Sequence, residues 1–120
     1  MAQPLLGRRV LVVEDEALVA LLIEDALIAA GASMIGPFAQ VQPALAALEA
    51  GLPDVAVLDL NLGGESSLPI ADRLVTLGVP ILFASGYGPA GLPPRFQTRP
   101  MLAKPYDSAA LIGQLLALCG

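Results

Sequence analysis

The chain has 120 residues, 11 acidic side chains against 6 basic ones, and a formal charge of −5. That length suits a single domain over residues 1–120, and area scaling gives about 6,100 Å² of surface folded against about 18,000 Å² unfolded, so a core forms without staples. A hydrophobic content of 56% with only 14% charged residues excludes a disordered acidic tail, and the acidic balance argues against direct nucleic-acid binding, which needs a basic face.

The first stretch, Met1 to Val10, lacks a signal-peptide layout because its arginines follow the short apolar piece. Val10 to Val13 is a β-branched-rich apolar run, typical of a strand buried on both faces of a parallel sheet. It stops at Glu14-Asp15-Glu16, and a helix is predicted from Ala17 to Ala30, closed by Gly31. Within it the apolar run Ala17 to Ile23 is too short to span a bilayer before Glu24 and Asp25 interrupt it. A soluble cytoplasmic protein without membrane contact is the expectation. A strand follows over Ser33 to Phe38, then a helix over Gln40 to Ala50 closed by Gly51.

Asp54 to Leu58 reads as a third buried strand ending at Asp59. A loop with Gly63-Gly64 leads to a helix over Ser66 to Leu77, closed by Gly78. Pro80 to Ala84 is the fourth strand, and Pro80 is tolerable only near its start. The glycines and prolines between Ser85 and Pro94 make a long regular helix there unfavourable. Pro100 to Ala103 is the fifth strand, and Asp107 caps a final helix over Ser108 to Leu118. Strands alternating with helices indicate an α/β chain with an open, mostly parallel, doubly wound sheet.

Ligands of such sheets bind beyond the carboxyl ends of the strands. The chemistry-bearing residues there are Glu14 and Asp15, Asp59, Ser85 and Lys104, the last being the only lysine in the chain. Acids after a strand commonly cap the next helix or pair with its dipole, and Glu16 is read that way. The others are harder to explain by capping, because clustered carboxylates repel unless a cation neutralises them. The chain has no histidine and a single cysteine, Cys119. Zinc sites of Cys/His type, histidine bases and Ser-His-Asp triads are therefore excluded, as is an internal disulfide. Oxygen ligands alone select a hard ion such as Mg²⁺. A carboxylate beside Mg²⁺ and a lysine is suited to attack phosphorus.

The runs Val10–Glu16 (VLVVEDE), Val55–Leu62 (VAVLDLNL), Ile81–Gly88 (ILFASGYG) and Leu102–Tyr106 (LAKPY) together resemble a response-regulator receiver domain over essentially the whole chain. Ile81–Gly88 further resembles the receiver subfamily marked by Phe-Ala-Thr-Gly-Tyr, with Ser85 in place of Thr. The resemblance implies a flavodoxin-like five-stranded sheet of order 2-1-3-4-5 with an irregular or short fourth helix. It implies that Asp59 takes a phosphoryl group from a phosphohistidine on a sensor histidine kinase or a phosphotransfer protein. It implies Mg²⁺ held by Asp15, Asp59 and the Asn61 carbonyl, with Glu14 acting through a bound water. Lys104 would pair with the phosphoryl oxygens and the Ser85 hydroxyl would hydrogen-bond one of them. A cis Lys104–Pro105 bond is expected on the same ground.

Receivers usually carry an aromatic residue three positions before the lysine, where this chain has Met101. Signalling is therefore expected from Tyr87 or from ordering of the segment 86–94, which would present Arg95, Phe96 and Arg99 to a partner. The first helix is so apolar that some leucine or isoleucine must face water, and receivers dock kinases through this helix. Output is expected by protein contact with a downstream target. Two alternatives stand beside this reading: a haloacid-dehalogenase-like phosphatase using the same Asp59 and Mg²⁺, though Asn61 stands where its second acid belongs, and an adaptor that takes no phosphate.

Overall fold

The computed structural model describes residues 3–86 and 91–119. Its main sheet has five parallel strands: β1 (Arg9–Val13), β2 (Ser33–Phe38), β3 (Val55–Asp59), β6 (Ile81–Ser85) and β7 (Met101–Ala103). Two further short strands, β4 (Asn61–Leu62) and β5 (Glu65–Ser66), pair antiparallel in a hairpin that follows β3. The helices are α1 (Ala17–Ala29), α2 (Val41–Ala50), α3 (Leu68–Leu77) and α4 (Ser108–Cys119). The sheet order β2-β1-β3-β6-β7 is the expected 2-1-3-4-5 once the hairpin is set aside. This is the flavodoxin-like fold.

Alternate residues of each strand serve opposite faces. Leu11, Val13, Ala56, Leu58, Ile81 and Phe83 pack under α2 and α3. Val10, Val12, Val55, Val57, Leu82 and Leu102 pack under α1 and α4. Every residue of β3 and β6 is buried, as two-sided coverage demands. The described surface is 6066 Å², in line with the scaling for this length. No helix among the described residues is long and apolar enough to cross a membrane.

Between β6 and β7 the described residues include a 3₁₀ turn over Pro94–Phe96. Tyr87 lies outside the described residues. The expectation that Phe96 is presented to a partner is overturned. Phe96 and Leu92 are both buried in the α2/α3-side core, with the Phe96 ring edge-on to Phe83 at 5.3 Å between centroids. Arg95 remains at the surface, where its guanidinium makes two 3.0 Å hydrogen bonds to the Asp72 carboxylate on α3. Met101, paired with Phe83 across the sheet, is half-buried against the same core.

Candidate functional site

Connection direction reverses between β1 and β3: from β1 the chain passes outward to β2, and from β3 it passes the other way to β6. A crevice opens at the carboxyl ends of such a pair. A cavity of about 630 Å³ occupies it, lined by Asp15, Glu16, Asp59, Leu60, Asn61, Gly63, Ser85, Gly86, Gly91 and Lys104.

Glu14 is set by an irregularity in β2. The β1–β2 register shifts between Leu11 and Val13, at Gly36. Gly36 has φ +113, and a Cβ there would lie 2.7 Å from the Val12 carbonyl oxygen, so a side chain is excluded. Past the bulge, the Glu14 N–H donates to the Phe38 carbonyl at 2.9 Å. That turns the Glu14 side chain into the interior, where only 3% of the residue is exposed. Asp15, next in the chain, is exposed.

Asp59 ends β3 and is 6% exposed. Its Oδ1 accepts the Asn61 N–H at 3.3 Å, and its Oδ2 faces Lys104 Nζ at 3.0 Å. The Asn61 side chain is engaged elsewhere: its Oδ1 accepts the Gly64 N–H at 2.8 Å and closes the β4–β5 turn. Gly63 and Gly64 carry φ values of +61 and +97, which the turn needs. Gly63 also leaves room beside the acids, since a Cβ there would stand 3.5 Å from Asp15 Oδ2.

Lys104 is positioned by sheet pairing. Its N–H donates to the Ser85 carbonyl at 2.9 Å, so β6 and β7 end side by side with Ser85 and Lys104 adjacent. The Lys104–Pro105 bond is cis, as expected, and so is Gly36–Pro37. The Lys104 ammonium lies 2.9 Å from Glu14 Oε1, 3.0 Å from Asp59 Oδ2 and 3.2 Å from Glu16 Oε1. Ser85 is buried at the pocket wall and has an interaction partner of its own.

The electrostatics follow from burial. Removal from water pushes the Glu14 carboxyl up to about 7; Lys104 and the Glu16 N–H pull it down, while neighbouring Asp59 pushes it further up. Burial also opposes the charge on Lys104, but its bonds to Glu14 and Asp59 win and hold its pKa above lysine's ordinary value. Burial, with the Glu14 charge second, pushes the Tyr106 hydroxyl up to about 12.

One oxygen each from Glu14, Asp15 and Asp59 lies within 4.8 Å of the others, a spacing compatible with a metal ion. Among the described residues Lys104 pairs with Glu14, Glu16 and Asp59 and not with Asp15. The donor set is all oxygen, which suits Mg²⁺. The structure thus gathers Glu14, Asp15, Asp59, Asn61, Ser85 and Lys104 at one sheet edge. It also extends the reading of Glu16. That residue is the N-cap of α1 and its carbonyl accepts the Ala20 N–H at 2.9 Å, but its side chain makes no capping bond and lies 3.2 Å from Lys104 Nζ. Nothing local could have signalled a contact spanning 88 positions.

Neither a family model nor a curated protein sequence matches the chain. Among solved structures, SdrG from Sphingomonas melonis Fr1 is 38% identical over 100% of both chains, with a TM-score of 0.83. The BeF3-activated conformation of SdrG from Pseudomonas melonis Fr1 is 38% identical over 99% of this chain and 98% of that one, with a TM-score of 0.79. A response regulator receiver protein from Burkholderia phymatum is 26% identical over 95% and 96% of the two chains, with a TM-score of 0.82. Identity at this level along the full length, on a sheet wound in the same order, establishes that the chain belongs to the response-regulator receiver family of two-component systems.

Proposed function

We propose that Asp59 is the phosphoacceptor of a receiver domain spanning residues 1–120, loaded from a phosphohistidine on a sensor histidine kinase or phosphotransfer protein. The observation that carries this reading is the buried Asp59 carboxylate at a strand end, 3.0 Å from the only lysine, in an open pocket. In the reaction an Asp59 oxygen bonds to phosphorus as the P–N bond breaks, and that electron pair leaves on the imidazole nitrogen. The Lys104 ammonium pairs with the incoming phosphoryl oxygens, and the Ser85 hydroxyl donates to one of them. Asp15, Asp59 and the Asn61 carbonyl would hold Mg²⁺, with Glu14 behind them, and the ion when bound neutralises charge on the phosphoryl oxygens. SdrG, a 38% identical protein, has a BeF3-activated conformation, which supports the same chemistry here.

A phosphatase of haloacid-dehalogenase type is the weaker reading, because Asn61 stands where a second acid is needed and its side chain is bound to the Gly64 N–H. The proposed donor docks on α1. Leu18, Leu21, Leu22 and Ile28 are exposed there, and Leu18 is 83% so. Beside them a groove of about 510 Å³ is lined by Leu18, Val19, Leu22, Pro105 and Tyr106 and reaches Lys104. An apolar helix face next to the acceptor fits a helical donor that presents its histidine over the pocket. The proposed setting is cytoplasmic, and the proposed output is contact with a downstream protein. Intact mass after incubation with acetyl phosphate and Mg²⁺ tests the assignment. The wild-type protein gains one phosphoryl group and Asp59→Asn gains none; phosphorylation of the variant refutes it.

A further inference from the structure

Glu16 is the strand-end acid to which the proposed chemistry assigns no task. The Lys104 ammonium has three N–H donors, and Glu14, Asp59 and Glu16 stand within 3.2 Å of it. Phosphorylation turns the Asp59 carboxylate into an acyl phosphate, which vacates one donor but brings a doubly charged phosphoryl group to the same ammonium, so any second phosphoryl contact comes at the expense of Glu14 or Glu16. Glu14 is held at 2.9 Å with a side chain 2% exposed, and leaving it unpaired would strand a buried charge. Glu16 makes the longest of the three contacts, and its side chain is 62% exposed. It returns to water at the least cost.

The same pair is also a wall. The acid pocket around Asp59 and the apolar groove beside Leu18, Leu22 and Tyr106 both have Glu16, Gly86 and Lys104 in their linings. We propose that Glu16 is a positioning residue for Lys104. Its carboxylate shares the ammonium before phosphorylation and surrenders it when a phosphoryl group arrives, and this competition slows loading of Asp59. The proposal rests on the reading of Asp59 as phosphoacceptor.

The test is the rate of phosphoryl gain from acetyl phosphate with Mg²⁺, followed by mass, in four proteins: wild type, Glu16→Gln, Lys104→Met and the double variant. Glu16→Gln is expected to load roughly twofold to fivefold faster, the size expected when a mostly exposed ion pair no longer has to be given up. Glu24→Gln makes the same change in net charge further along α1 and is expected to load at the wild-type rate. In the Lys104→Met background the gain from Glu16→Gln should vanish, because the competition it relieves no longer exists. An equal gain in that background overturns the proposal, since Glu16 would then act only by repelling the donor. An unchanged rate for Glu16→Gln in a wild-type protein that does load overturns it as well and leaves Asp59 as acceptor. A wild-type protein that gains no phosphoryl group overturns the reading of Asp59 and the proposal together.

Discussion

The two segments that flank Asp59 differ in what dominates their hold. After β3, residues 60–67 sink Leu62 into the core but are shaped chiefly by directional polar bonds. Asn61 Oδ1 takes the Gly64 N–H at 2.8 Å, the Leu60 carbonyl takes the Ser67 N–H at 3.2 Å, and Glu65 Oε1 takes the Val41 N–H at the start of α2 at 3.1 Å. After β6, residues 91–100 are pinned by apolar side chains, Leu92 and Phe96, sunk into the core. Directional bonds fix a backbone carbonyl such as that of Asn61 within narrow limits. Hydrophobic burial is non-directional and holds a segment down without fixing its fine geometry. The segment beside the acids is therefore built for placement, and the one beside Ser85 for anchorage.

The largest effect on stability should come from Phe96→Ala. It removes a fully buried ring that packs edge-on against Phe83, and such truncations cost about 3–5 kcal/mol. Urea denaturation measures this. Phosphoryl gain at Asp59 should persist under native conditions, because Phe96 does not line the pocket. A loss below about 1 kcal/mol would show that something other than apolar anchorage holds the segment.

Phe96 also marks how far sequence reasoning reached. The strands β1 and β3 were legible because continuous β-branched runs stop abruptly at acids, and the helices because their length and glycine stops are plain. The pocket residues followed from strand ends alone. The burial of Phe96 escapes pattern because a single short 3₁₀ turn dips one ring inward from a segment without hydrophobic periodicity. The β4–β5 hairpin escaped because strands of two residues carry no alternation to detect. Glu16 does sit at the helix terminus, but its contact with Lys104 escapes local pattern because only the sheet brings the two together.

On the polar side the sharper probe is pH. Glu14 in the folded protein titrates near 7 against an ordinary value of 4.5. Between those values the folded state holds more protons than the unfolded chain, so stability falls as pH rises through this window and levels off above it. The loss is on the order of a few kcal/mol without metal. A divalent ion favours the ionised acids, so stabilisation by Mg²⁺ should grow over the same pH range. At ten times the Kd it amounts to about 1.4 kcal/mol. Melting curves in EDTA and in Mg²⁺ between about pH 5 and about pH 8 check the trend. Asp15→Asn should flatten the Mg²⁺ gain; an equal gain in the variant would remove Asp15 from the metal site.

The smallest effect isolates the Arg95–Asp72 ion pair on the apolar side. Arg95 bridges its segment to α3 through two 3.0 Å bonds to Asp72, and its guanidinium lies 4.9 Å from the Phe96 ring centroid. The geometry is bidentate, but both side chains are about half exposed, at 53% and 52%. Water and salt screen such a pair, and exposed pairs of this kind contribute about 0–1 kcal/mol. If Leu92 and Phe96 carry the anchorage, Arg95→Ala costs no more than that, and added salt shrinks the difference from wild type. Glu65→Ala is the matching test across the pocket. It strips the first-turn Val41 N–H of its acceptor, a loss of the capping kind worth about 0.5–2 kcal/mol. The two variants should therefore rank Glu65 above Arg95. The reverse order, with Arg95→Ala costing more than about 2 kcal/mol, would mean that the Ser85-side segment is also held by directed charge, and the contrast between the two flanks would fall.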